Sequence, residues 1–181
     1  MMKIKAIRLD RFDEVYGIME KSFPPDEMRP YREQRELLLN EKYKVFAAID
    51  GEDDKMTAFV ATWQFEDILF IEHLATEPAL RGQGIGATLL EHLASCESRT
   101  ICLEAEPPES EITRRRIEFY NRNGFYLNEY PYIQPPISKG RNPVPLMIMT
   151  YGKSISEAEF KLIRELLYKE VYQTDKINFV L

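Results

Sequence analysis

One junction limits what this chain can fold into more than any other: at Gly84 the period of the apolar pattern changes. Before it, Tyr43 to Ile49, Met56 to Phe65 and Ile68 to Ala75 are extended runs rich in Val, Ile, Phe and Trp. The polar breaks Asp50-Gly51-Glu52-Asp53-Asp54 and Glu66-Asp67 separate them, so the three runs read as an antiparallel meander. After the junction, Ile85, Leu89, Leu93 and Cys96 recur at helical spacing. Between the two patterns lies Arg81-Gly82-Gln83-Gly84-Ile85-Gly86-Ala87. Its glycines let backbone approach a ligand closely, and a helix start supplies unpaired N–H groups and a positive dipole. Such a loop suits a pyrophosphate; without a ligand it is a glycine-rich turn.

The flanking sequence reads as alternating short elements. Lys3 to Leu9 is a candidate first strand, and Asp10 a candidate N-cap for a helix reaching Met19 or Lys21. Pro24-Pro25 breaks the chain before a second short helix, Tyr31 to Asn40, with Leu37, Leu38 and Leu39 as its buried turn. Downstream, Thr100 to Leu103 reads as a strand and Ile112 to Asn123 as a helix stopped by Gly124. Phe125 to Tyr132 and Pro145 to Tyr151 read as strands joined by a proline-stiffened stretch. Ser156 to Val171 reads as a terminal helix, with Phe160, Ile163, Leu167 and Val171 on one stripe. With no repeat or low-complexity tract in 181 residues, one α/β domain is the economical expectation.

Composition removes several classes of function. A net charge of -6 argues against binding a nucleic-acid backbone, and Arg114-Arg115-Arg116 is the only dense basic spot. No apolar run approaches the roughly 20 residues that span a bilayer. The N-terminus, from Met1-Met2-Lys3-Ile4 onward, has no apolar h-region, so a soluble, cytoplasmic protein is expected, acting neither on nucleic acid nor at a membrane. Cys96 and Cys102 lack metal-ligand spacing and read as core residues in a reducing compartment, so neither a metal nor a disulfide is expected.

Gly82-Gln83-Gly84-Ile85-Gly86-Ala87 also satisfies G-x-G-x-x-[GA], and Glu104 lies about 20 residues later, where a dinucleotide fold wants its ribose-binding acid. On this reading the chain is an NAD-dependent oxidoreductase. The Rossmann turn, however, needs its first glycine almost at the strand end, and here Thr76-Glu77-Pro78-Ala79-Leu80-Arg81 intervenes. A P-loop fails outright, since no Lys-Ser or Lys-Thr follows the glycines.

Arg81-x-x-Gly84-x-Gly86, after a strand ending Leu74-Ala75-Thr76 and a Pro78, resembles the acetyl-CoA signature of the GCN5-related N-acetyltransferases, the GNAT superfamily. Tyr120-Asn121-Arg122-Asn123-Gly124-Phe125 resembles that family's second landmark, a Tyr four residues before a Gly-Phe. The resemblance covers roughly Lys3 to Tyr151. It implies a single domain over 1–151, with 152–181 as a helical extension packed on it. The implied fold is a mixed, mostly antiparallel twisted sheet flanked by helices, splayed between the fourth and fifth strands, at Thr76 and Thr100 to Leu103. Acetyl-CoA is the implied co-substrate. Its pantetheine arm would pair with Leu74, Ala75 and Thr76, and its pyrophosphate would sit on Arg81, Gly82, Gln83, Gly84, Ile85, Gly86 and Ala87. The acceptor is a small-molecule or peptide amine that the motifs do not identify, and oligomeric state is open.

The same resemblance makes Tyr120 the acid that protonates the departing coenzyme A sulfur, a role a phenol with a reference pKa of about 10 can fill; its other reading is a core aromatic at helical spacing. For the base, Glu72 matches a position where many members carry a proton-accepting or water-ordering Glu. His73 is the alternative base, and structural pairing is the third reading. Strict alternation puts Glu72 and His73 on opposite faces. Where many members carry a coenzyme-contacting Asn, this chain has Thr113; Asn121 is a possible substitute, or else a helix-capping residue. Ser22 to Pro30 and Tyr130 to Pro145 flank the acceptor pocket in the family. Trp63 reads as core. Glu104, Glu106, Glu109 and Glu111 read as a solvated acidic turn, or as an attraction for a cationic amine. The implied activity is acetyl transfer to an amine by direct attack in a ternary complex. A catalytically silent acyl-CoA-binding module is the second reading.

Overall fold

The computed structural model describes residues 2–175. It contains two compact units, one of the residues up to Pro24 with Met28–Arg99, the other of Pro25–Glu27 with the residues from Thr100 onward.

The first unit holds β1 (Lys3–Ala6), α1 (Phe12–Glu20), α2 (Tyr31–Glu36), β2 (Tyr43–Ile49), β3 (Met56–Gln64), β4 (Ile68–Thr76) and α3 (Ile85–Ser95). Its strands pair antiparallel in chain order. The meander read from the sequence is therefore present, and β3 is buried over all but its last residue. α3 buries Leu89 and Leu93 of the predicted stripe together with Leu90, while Ile85 is half-buried and Cys96 exposed.

Several local expectations are corrected here. Asp10 is not the N-cap of α1: it lies in a 3-10 turn, Leu9–Arg11, and the cap is Arg11, which makes no side-chain cap bond. Arg11 is drawn instead into a bidentate pair with Glu14 at 2.6 and 2.8 Å, while Asp13 and Glu14 supply the negative charge the helix start favours. The second helix ends at Glu36 and gives way to a 3-10 turn over Leu37–Leu39, none of which is buried. Its buried position is Gln34, whose amide donates to the Tyr43 hydroxyl at 2.7 Å. Cys96 is an exposed helix C-cap and not a core residue, whereas Cys102 is buried.

The second unit holds β5 (Thr100–Ala105), α4 (Glu111–Arg122), β6 (Phe125–Gln134), β7 (Val144–Tyr151) and α5 (Glu157–Leu166), with β7 pairing antiparallel to both β5 and β6. Capping boxes at Ser110 and Ser156 start the two helices. The terminal helix is α-helical only to Leu166; Leu167–Val171 is a π-helical turn. Its predicted stripe of Phe160, Ile163, Leu167 and Val171 is buried, and the wider turn also buries Tyr168 and Tyr172. Residues 176–181 of the expected extension lie outside the described residues. Among the described residues no helix is long and apolar enough to cross a membrane.

Candidate functional site

The glycine loop follows the end of β4. Leu74, Ala75 and Thr76 pair with Val60, Phe59 and Ala58, and within the first unit β4 is the outer strand. The Glu77 N–H returns to the Thr57 carbonyl at 2.8 Å, and a 3-10 turn over Pro78–Leu80 leads into the glycines. Gly82 and Gly84 both have φ of +81°, which side chains rarely adopt, and a Cβ on either would meet no protein atom within 4 Å. The left-handed backbone, and not packing, requires glycine at both positions, and it leaves the space at the helix start open. Gly84 caps α3 without a side chain, and the first helical bond runs from Thr88 N to Gly84 O at 3.0 Å. The N–H groups of Ile85, Gly86 and Ala87 belong to the first turn, which has no intrahelical acceptors for them. Arg81 and Gln83 are exposed beside this space, and Arg81 donates to the Ser22 hydroxyl at 3.2 Å. Lys21 pairs with Glu77 at 2.9 Å, tying the end of α1 to the same loop.

Glu72 and His73 do not lie on opposite faces as alternation predicts. The β3–β4 register steps from Ala61↔His73 to Thr62↔Ile71, so Glu72 is the extra residue of a bulge. Both side chains are buried, each 2% exposed, and His73 Nδ1 stands 3.5 Å from Glu72 Oε2. Arg29, 7% exposed, donates to Glu72 Oε1 at 2.7 Å. Burial pushes the Glu72 carboxyl up. The Arg29 charge, the His73 hydrogen bond and charge, and the Arg29 hydrogen bond outweigh it, bringing the group down to about 2. A carboxylate so held is a weak proton acceptor at neutral pH, so this geometry favours the pairing role over the base role. Burial and the Glu72 charge raise the Tyr43 hydroxyl well above its ordinary value. Tyr43 packs edge-on to Trp63, which is core as expected. Phe23, from the first proline segment, meets the His73 ring edge-on.

In the second unit Tyr120 lies in the last turn of α4 and is buried. Burial, opposed by the Arg116 charge, pushes its hydroxyl up to about 12, so it holds its proton at neutral pH. Its ring is held between Phe119 and Phe125, at centroid distances of 5.3 and 5.8 Å. Gly124 has φ of +83°, and a Cβ there would stand 2.8 Å from a Tyr151 ring carbon, so the Gly-Phe pair also has a packing reason. The Thr113 hydroxyl is taken into the α4 capping box with Ser110. Asn121 is exposed, and the amide that caps the helix end belongs to Asn123, which donates to Phe119 O at 2.7 Å.

The acidic turn is corrected as well. Strand β5 extends to Ala105, so Glu104 is a strand residue, half-buried, accepting hydrogen bonds from Tyr132 and, at 2.6 Å, from Tyr172. Alternation past Leu103 to Ala105 is the sequence signal that marks it. Glu106 pairs with Arg116, and Glu111 with Arg115. The two proline-rich segments also meet inside this unit: Asp26 accepts from the Asn142 N–H at 2.9 Å and its amide at 3.1 Å. These bonds hold the Asp26 carboxyl below its ordinary value. Among the described residues no group of His, Cys, Asp and Glu is placed to hold a metal ion.

A model of the family described as "Acetyltransferase (GNAT) domain" matches residues 41–127. A solved structure described as "Putative acetyltransferase from GNAT family" from Bacteroides thetaiotaomicron is 34% identical to the chain. It superposes with a TM-score of 0.83 over 96% of this chain and 99% of its own. A curated relative, "Putative acetyltransferase YjbC" of Bacillus subtilis (strain 168), is 25% identical over 161 residues, 87% of this chain and 79% of the relative. The Arabidopsis thaliana protein NAA60, solved in complex with acetyl-CoA, shares the fold at a TM-score of 0.65 and 14% identity, over 83% of this chain and 98% of its own. The fold read from the sequence, a single α/β domain with a mixed, mostly antiparallel sheet flanked by helices, is the fold of this chain.

Proposed function

Because the chain belongs to the GNAT family of acetyltransferases, we propose that it moves the acetyl group of acetyl-CoA to a primary amine, by direct attack within a ternary complex. The observation that carries this reading is the open glycine loop at Gly82 and Gly84, at the start of α3 and after the 3-10 turn that follows β4. The fit to a coenzyme is physical. A diphosphate would place its charge at the N–H groups of Ile85, Gly86 and Ala87 and beside Arg81, with Gln83 as a further donor. A pantetheine arm would add to the outer edge of β4 at Leu74 to Thr76 as an extra strand. Asn121 stands as a further coenzyme contact.

The coenzyme supplies the activated thioester. The backbone of β4 polarises its carbonyl as negative charge develops there, and Tyr120 gives its proton to the departing sulfur as the C–S bond breaks, while the proton lost by the attacking nitrogen passes to water, which restores the Tyr120 hydroxyl. Glu72, which the resemblance offers as a proton-accepting or water-ordering group, is held ionised by Arg29 and takes the water-ordering part. The catalytic domain is residues 1–151, the acceptor is a small-molecule or peptide amine, and the protein acts in the cytoplasm without a metal.

Acetyl-CoA at about 100 times its dissociation constant should stabilise the fold by roughly 2.7 kcal/mol in a thermal-shift experiment. The substitution Gly84→Leu should abolish that stabilisation, since it fills the open space and strains a φ of +81°. A shift with NAD and none with acetyl-CoA would overturn the reading. Thiol release from acetyl-CoA across a panel of amines separates an enzyme from a silent binding module.

A further inference from the structure

Three consecutive residues that close α1 each touch a different part of the site. Lys21 donates to both carboxylate oxygens of Glu77, at 2.9 and 3.1 Å, at the head of the turn leading into the glycine loop. Ser22 accepts from Nη2 of Arg81 at 3.2 Å. Phe23 sets its ring edge-on to that of His73, with centroids 4.7 Å apart, and His73 stands beside the buried Glu72 carboxylate. Ser22 and Phe23 form one turn, because both of their N–H groups bond to the carbonyl of Met19 at 2.9 Å, and Met19 is fully buried. All of these contacts lie within the first unit.

Arg81 is exposed, and a long side chain on the surface gives up rotamer freedom when it binds an anion. The Ser22 hydroxyl takes one donor of the guanidinium and leaves the rest of the fork for a ligand at Gly82 and Gly84. A donor already aimed binds at lower entropic cost. Ser22 is also coupled to Phe23 through their shared turn, and Phe23 to His73 through ring contact. We propose that Ser22 and Phe23 are positioning residues of the site: Ser22 aims Arg81 at a coenzyme diphosphate, and Phe23 carries the presence of that diphosphate to the His73–Glu72 pair. This rests on the acetyl-transfer reading and adds to it a link between the coenzyme loop and the carboxylate that orders water.

The chain has two histidines, His73 and His92, so the ring signals of the full chain labelled with nitrogen-15 histidine are assigned by one variant, His92→Gln. ADP carries a diphosphate but no pantetheine arm, so it has nothing to lay along β4 beside His73. Saturating ADP should move the His73 signals of the wild type. In Ser22→Ala and in Phe23→Leu that movement should fall below half at the same ADP occupancy. The coenzyme A Kd should rise about threefold in Ser22→Ala, the loss expected for one exposed hydrogen bond, and the rise should vanish when Arg81→Met is already present. A merely structural serine would lower the thermal midpoint without ligand and weaken coenzyme A equally in both backgrounds. The proposal is overturned if bound ADP leaves His73 still, if Phe23→Leu keeps the full response, or if the effects of Ser22→Ala and Arg81→Met simply add. Coenzyme A that binds without this coupling sinks the present inference alone. A chain that binds neither coenzyme A nor ADP sinks the acetyl-transfer reading, and the inference with it.

Discussion

Replacing Tyr120 by Phe should lower kcat by roughly 10² to 10⁴ while leaving coenzyme affinity nearly intact. The substitution deletes one oxygen and keeps the ring between Phe119 and Phe125. The hydroxyl, pushed up to about 12 by burial, keeps its proton throughout the working range, as the proposed acid role requires. That thiol, with a reference pKa near that of cysteine at about 8.5, leaves tolerably without help, which favours the lower end of the range. Binding survives because the open loop at Gly82 and Gly84 and the edge of β4 are untouched. The measurement is kcat and coenzyme Kd for both proteins with one amine, under conditions where chemistry limits turnover. An unchanged kcat would remove Tyr120 from the mechanism; equal loss of binding and stability would return it to a packing role.

Arg29→Met should destabilise the fold at pH 7 by about 3 to 5 kcal/mol, the cost of leaving a buried charge without its partner. Glu72 is 2% exposed, so with Arg29 removed its anion has neither water nor a guanidinium to hold it. The pH dependence follows from the depressed pKa. A carboxyl at about 2 in the folded chain, against an ordinary value of 4.5, adds stability above pH 4.5 and loses it as pH falls toward 2. In the variant the carboxyl is pushed upward by burial and escapes its penalty by taking a proton. The gap between wild type and variant should therefore shrink between pH 7 and pH 3. Urea denaturation at both pH values reads this directly. A difference below about 1 kcal/mol at pH 7, or one that grows in acid, would show that the pair does not hold the bulge together.

The sequence was informative where a local pattern alone sets the outcome. Alternating apolar runs and short polar turns determined the meander from Tyr43 to Thr76, and helical spacing picked out Leu89 and Leu93, two of the three buried residues of α3. The glycine loop was legible because a left-handed φ at a helix start needs glycine whatever surrounds it. Tyr120 and Gly124 were legible by resemblance, and the structure adds the packing reason for Gly124.

What the sequence could not determine was every feature that depends on partners far along the chain. Strict alternation separates Glu72 from His73; a bulge opposite Ala61 and Thr62 brings them together, and Arg29, 43 residues away, decides the charge of Glu72. Glu104 read as part of a solvated acidic turn, because its partners Tyr132 and Tyr172 lie 28 and 68 residues downstream. Propensity and periodicity act over a few residues, so they determine elements and faces. The ionisation of a buried carboxylate is decided by which donors and charges the fold delivers to it, and only the tertiary structure makes that selection.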